Sequence, residues 1–107
     1  MQPTDTIEIL EDKAAEVSAT LRLIANEKRL LVLCRLAQAG EMSVTALGEA
    51  VRLSQSALSQ HLAKLRADGL VTTRRESQTL YYRIADERVG QLLNALYDIY
   101  CASPDRS

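Results

Sequence analysis

Tryptophan and phenylalanine are missing from this sequence, and the only aromatic residues are Tyr81, Tyr82, Tyr97 and Tyr100. The core must therefore be made almost wholly of Leu, Val, Ile and Ala, which favours helices. No run approaches the roughly 18 apolar residues of a membrane-spanning helix. Met1-Gln2-Pro3-Thr4-Asp5 has neither the basic nor the apolar stretch of a secretory signal, so no membrane association and a cytoplasmic address are expected. Internal repeats and low-complexity segments are absent. So are a Cys-x-x-Cys pair, a phosphate-cradling glycine loop and any acid/base constellation, which argues against an enzyme and leaves no catalytic residue or cofactor to assign. Two cysteines and one histidine are poor material for a tetrahedral metal site, which wants about four N, S or O ligands, and no metal is expected.

What is present is enough for one folded domain spanning residues 1–107. The apolar fraction of 47% and the charged fraction of 25% lie far from the disordered corner of composition. A domain of this size buries only about 60 to 65% of its unfolded surface, and the remaining apolar area suits a second subunit. A homodimer is the expectation.

The formal net charge of −1 conceals a division along the chain. Residues 1–49 carry net −3 and residues 84–107 net −2, whereas residues 50–83 carry net +4 from Arg52, Lys64, Arg66, Arg74, Arg75 and Arg83 against Asp68 and Glu76. One basic third in an otherwise acidic chain is the arrangement of a surface that meets a polyanion.

Apolar residues at Ile7, Leu10, Ala14, Val17, Leu21 and Ile24 keep the three-and-four spacing of an amphipathic helix over 7–24. Residues 28–39 are apolar on more sides and end at Gly40, which predicts a central, buried second helix. Ser43 can cap a short helix over 44–51, and Ser54 a longer one over 55–68 that ends at Gly69. Only Arg52 and Leu53 separate the short helix from its successor's cap, so residues 43–69 read as a helix-turn-helix.

On the wheel of the second of these helices, Leu58, Leu62 and Leu65 face the core. Ser56, Ser59, Gln60, Ala63 and Lys64 lie opposite, a face of small and hydrogen-bonding residues suited to a DNA groove. The expected DNA contacts are Ser54, Gln55, Ser56, Ser59, Gln60, His61 and Lys64, with His61 beside the core stripe and open to packing or a phosphate contact.

Residues 71–75 and 79–84 read as two strands around Glu76-Ser77-Gln78, a hairpin over 71–84 with Leu80, Tyr82 and Ile84 pointing inward. A basic hairpin after a helix-turn-helix is a wing, and Arg74 and Arg75 near its tip are expected to touch DNA phosphates or the minor groove. Residues 86–101 carry Val89, Leu92, Leu93, Leu96, Tyr97 and Tyr100 on one side of a last helix, and Pro104 blocks much further extension. The expected fold is mainly α with a small β-hairpin wing, a winged helix-turn-helix in the order α-α-α-α-β-β-α. It is dimeric through the first and last helices and partnered by double-stranded DNA.

That order of elements, with Leu58-Ser59-Gln60-His61-Leu62-Ala63-Lys64-Leu65-Arg66-Ala67-Asp68-Gly69-Leu70-Val71, resembles the ArsR family of small dimeric bacterial repressors over nearly the whole chain. Asn26-Glu27-Lys28-Arg29 departs from the His-Pro or Asp-Pro that many members carry there, and Ser77-Gln78 stands at the wing where Gly is common. The family's arsenic and lead sensors place Cys-x-Cys where this chain has Ser43-Val44-Thr45. Its zinc sensors place histidines on the last helix, where residues 86–101 have none.

Taken alone, Cys34 and Cys101 read as a pair of inert, buried small residues, a reading that suits Cys34 best. In context they resemble the two cysteines of the family's sulfide-responsive branch. The resemblance implies a thiol switch. Persulfide or polysulfide acts as inducer and bridges the pair with extra sulfur, and the repressor then leaves its operator. A peroxide-type switch through a plain Cys34-Cys101 disulfide is the alternative, ahead of a metal-responsive repressor. Cys101, nearer a chain end, is expected to react first.

Overall fold

The computed structural model describes residues 3–101. Helix α1 spans Pro3–Ile24, α2 Glu27–Ala39, α3 Val44–Val51, α4 Gln55–Ala67 and α5 Glu87–Cys101. Strands β1 (Met42–Ser43), β2 (Val71–Glu76) and β3 (Thr79–Ile84) form an antiparallel sheet in the order β1-β3-β2. This is the winged helix-turn-helix expected from the sequence. Pro104 lies outside the described residues.

The helix boundaries follow from local chemistry. Asn26 caps α2, its Oδ1 accepting from the backbone N–H groups of Lys28 and Arg29 at 3.1 Å each. Ser43 Oγ accepts from the N–H of Ala46, and Ser54 Oγ from that of Ala57, each at 3.2 Å. Both serines satisfy N–H groups that a helix start leaves without an internal partner. Asp86 serves α5 in the same way, its Oδ1 accepting from the N–H of Arg88 at 2.9 Å. Gly69 follows the end of α4 at φ +80°, a left-handed conformation that glycine adopts without steric cost. Arg52 closes α3 at φ 58° and ψ 47° although it carries a side chain, and this left-handed residue turns the chain from α3 toward α4.

α1 begins at Pro3 rather than Ile7, because the polar residues ahead of the apolar stripe continue the helix. β1 is an addition to the expected elements. Its two residues pair with β3, Met42 opposite Tyr82 and Ser43 opposite Tyr81, and tie the start of α3 to the wing. The hairpin is also tighter than expected, since Glu76 pairs with Thr79 and leaves Ser77 and Gln78 alone as the loop. With no glycine there, Ser77 takes the positive φ of 56°.

The core gathers Val32, Leu33 and Leu36 of α2, Leu47 and Val51 of α3, Leu58, Leu62 and Leu65 of α4, and Val89 and Leu93 of α5. Ile24, Leu70, Val71 and Tyr82 close it. Every expected inward residue of α4 is fully buried. The stripe on α1 behaves differently, because only Ile24 is buried while Ile7, Leu10, Val17 and Leu21 stand exposed. At the far end of α5, Tyr97, Ile99 and Tyr100 are exposed as well. Among the described residues no helix is long and apolar enough to cross a membrane.

Candidate DNA-reading face and thiol pocket

α4 stands on the core by Leu58, Leu62 and Leu65, and the same wheel holds Ser56, Ser59, Gln60, Ala63 and Lys64 in solvent. Ser54 and Gln55, at the N-terminal end of the helix, are exposed too. Ser54 Oγ is engaged in capping and lies 3.4 Å from Ser56 Oγ. Lys64 pairs with Asp68 one turn on, at 3.2 Å; as an exposed i,i+4 pair this holds the ammonium only weakly.

His61 differs from its neighbours. It is half-buried, and its Nδ1 accepts a hydrogen bond from Nε of Arg29 on α2 at 3.3 Å, so it faces the helix behind the reading face.

The strand register separates the two arginines that lie side by side near the wing tip in the sequence. Arg74 lies opposite Tyr81 and Arg75 opposite Leu80, and neighbouring residues of a strand point to opposite faces. Arg75 is exposed and, among the described residues, makes no ion pair. Arg74 is fully engaged. Its Nε and Nη2 donate to the two carboxylate oxygens of Glu41 at 3.0 and 2.7 Å, its Nη1 donates to Glu76, and its guanidinium carbon lies 4.8 Å from the centre of the Tyr81 ring.

The Arg74 hydrogen bonds, with the added positive fields of Arg74 and Arg83, hold the Glu41 carboxyl below its ordinary range. Without DNA, Arg74 is therefore paired with acidic side chains of its own chain.

Cys34 and Cys101 line one pocket of about 390 Å³ between α2 and α5, with Leu30, Leu31, Leu96, Tyr97 and Tyr100 as its apolar wall. Both thiols are free, Cys34 half-buried and Cys101 exposed. Burial pushes the Cys34 thiol above its usual value, and the neighbouring Cys101 adds to the rise by electrostatic repulsion. Cys34 thus stays protonated where an ordinary thiol begins to ionise. Among the described residues no group of three or more His, Cys, Asp and Glu side chains is arranged to hold a metal ion.

Sequence reasoning misses Glu41 and Arg29, because their partners Arg74 and His61 lie 33 and 32 positions away. The opposite facing of Arg74 and Arg75 is readable from strand alternation alone.

A small-residue, hydrogen-bonding helix face beside a basic wing is the architecture of a winged helix-turn-helix DNA-binding regulator of transcription. The chain belongs to the family described as bacterial regulatory protein, arsR family, whose profile its residues 26–73 match. It is 46% identical to the transcriptional activator HlyU of Vibrio cholerae serotype O1, over 86% of this chain and 84% of that protein. It is 42% identical to the biofilm growth-associated repressor of Agrobacterium fabrum, over 94% of this chain and 89% of that one. Among solved structures, the transcriptional repressor BigR from Xylella fastidiosa superposes with a TM-score of 0.82 at 40% identity, covering 90% of this chain and 97% of that one.

The two kinds of side chain on this surface should separate in a binding assay. Gln60→Ala removes a group able to read base edges, so preference among sequences should relax by about 1–3 kcal/mol at the affected position. If Arg75 meets a phosphate, Arg75→Ala should weaken binding on all sequences alike and flatten the slope of log K against log salt by about 0.9 for each subunit, about 1.8 for a dimer. Titrations of specific and mixed-sequence duplexes across salt concentrations check both, and unchanged affinity in both variants would place the reading face elsewhere.

Proposed function

We propose that this chain is a homodimeric repressor that holds operator DNA through Ser54, Gln55, Ser56, Ser59, Gln60 and Lys64 of α4 and Arg75 of the wing. It releases the operator when persulfide or polysulfide sulfur bridges Cys34 and Cys101. The observation that carries the reading is the shared apolar pocket, which brings together two thiols from distant parts of the chain. Two relatives whose names describe them as repressors support the sign of the regulation.

The chemistry needs only the two thiols. The Cys101 thiolate attacks a sulfane sulfur of a polysulfide, and a shorter sulfide departs with the electron pair. Cys34, as its thiolate, then attacks a sulfur within the chain now carried by Cys101 and expels hydrosulfide. The two cysteines end joined through the sulfurs between them. Each added sulfur lengthens the bridge, so two helices can be tied with less distortion than the Cα separation of about 7 Å or less that a disulfide demands.

The bridge joins α5 to α2, and α2 also bears Arg29, the hydrogen-bond partner of His61 on the reading helix. Strain in α2 therefore has a short route to α4.

The exposed Ile7, Leu10, Val17 and Leu21 of α1, with Tyr97, Ile99 and Tyr100 of α5, supply the apolar surface that a second copy would cover. A Leu10→Glu, Leu21→Glu protein should sediment as a monomer under conditions where the unmodified chain is a dimer. A dimer that survives both charges would rule out α1 as the interface.

The thiol reading is tested by intact mass and DNA affinity after polysulfide and, separately, after peroxide. Polysulfide should add two sulfur atoms and remove two hydrogens within one chain, with loss of operator affinity, while peroxide should leave affinity nearly unchanged. Equal release by peroxide would replace this reading with a plain disulfide switch.

A further inference from the structure

Arg74 is the most completely satisfied cation of the wing, and its partners are acidic groups of this chain. Glu41 meets it with both carboxylate oxygens, the bidentate geometry by which a guanidinium also grips a phosphate. Glu76 occupies the remaining terminal nitrogen, and the Tyr81 ring lies beneath the guanidinium. The wing does not need this clamp to hold its place. The β2–β3 ladder runs from Val71 opposite Ile84 to Glu76 opposite Thr79, and β1 adds Met42 and Ser43 against Tyr82 and Tyr81. Exposed ion pairs add little to stability, so the consequence of the clamp lies in what Arg74 is kept from doing.

The geometry points to Glu41, assisted by Glu76, as an internal stand-in for a DNA phosphate that withholds Arg74 from the backbone and so sets the wing's contribution to DNA affinity. The wing then presents Arg75 as its working cation, while Arg74, one residue away on the opposite face, is neutralised. A regulator whose function includes leaving DNA gains from such restraint, because every phosphate contact tightens binding to all sequences, operator or not. This inference rests on DNA binding and is independent of the thiol switch.

The test uses a mixed-sequence duplex of about 30 base pairs, since phosphate contacts are blind to sequence. Glu41→Gln, Glu76→Gln protein should bind about three- to tenfold tighter at low salt for each subunit in contact, about ten- to a hundredfold for a dimer, with a salt slope steeper by about 0.9 per subunit, about 1.8 for a dimer, so that between 50 and 200 mM salt a dimer's advantage shrinks by about tenfold. Adding Arg74→Gln to that protein should abolish the gain. Arg74→Gln alone, in the otherwise unchanged chain, should alter affinity by less than about twofold.

Tighter binding that persists without Arg74 would overturn the proposal by showing that loss of negative charge alone suffices. Weaker binding by the double variant would overturn it by making Glu41 a brace of the wing. The single Arg74→Gln variant is an independent check. If it loses several-fold affinity and flattens the slope, Arg74 already holds a phosphate and the stand-in does not operate.

Discussion

A protein carrying Cys34→Ser and Cys101→Ser together is expected to stay on its operator through a polysulfide treatment that releases the unmodified chain. Coupling between a regulatory site and a binding site is typically worth about 5- to 150-fold in affinity, so the treated and untreated double variant should give a ratio near one where the unmodified chain gives at least about five. Each single variant should also fail to respond, though for different reasons. Cys34→Ser leaves the exposed thiol at residue 101 able to gain sulfur but with nothing to bridge to. Cys101→Ser leaves a half-buried thiol whose ionisation is suppressed by its surroundings.

The order of attack has its own signature. Because burial raises the Cys34 value, its rate of alkylation should climb with pH through a midpoint above that of an ordinary thiol, and near neutrality iodoacetamide should mark Cys101 first. If the double variant is still released by polysulfide, the two thiols are not the switch. If Cys34 is alkylated first at neutral pH, the order of attack is reversed.

How much of this is legible in the sequence depends on the range over which each feature is encoded. The buried face of α4 and its caps follow from residues three and four apart, so Leu58, Leu62 and Leu65 can be placed inside, and Ser56, Ser59 and Gln60 outside, by angle alone. β1 is two residues long, too short for any periodicity, and exists only because β3 offers an edge for Met42 and Ser43 to pair with.

Arg74 reads as a free cation in the sequence because its neighbourhood shows one acidic residue, Glu76, and not the distant Glu41. His61 stands between packing and phosphate contact for the same reason, since Arg29 reaches it from another helix. The pairing of Cys34 with Cys101 rests on resemblance to a family, and no periodicity predicts it. What the fold adds is the pocket and the burial of one thiol, features that exist only once α2 and α5 are packed together.

Leu62→Ala should be among the most damaging single changes to stability while leaving every residue of the reading face in place. The side chain is 1% exposed and lies on α4 between half-buried His61 and exposed Ala63, with Leu58 and Leu65 fully buried on the same side. Truncating a buried leucine removes its transfer free energy and leaves a cavity that the close-packed surroundings only partly fill, at a cost of about 2–5 kcal/mol. Domains of this kind have only about 5–15 kcal/mol in total, and 1 kcal/mol moves the melting temperature by about 4–8 °C at roughly this size. A fall of at least about 8 °C is therefore expected.

Gln60→Ala, two residues earlier and exposed, should stay within about 0.5 kcal/mol of the unmodified chain. Comparing the pair by urea unfolding at one fixed protein concentration separates anchoring of the reading helix from reading itself, because a dimer's apparent stability varies with concentration. The two faces of α4 then give opposite outcomes. Leu62→Ala should lose stability and keep its preference among DNA sequences in the fraction that stays folded, whereas Gln60→Ala should keep its stability and lose that preference. A Leu62→Ala protein as stable as the unmodified chain would mean that α4 is held by something other than its leucine face.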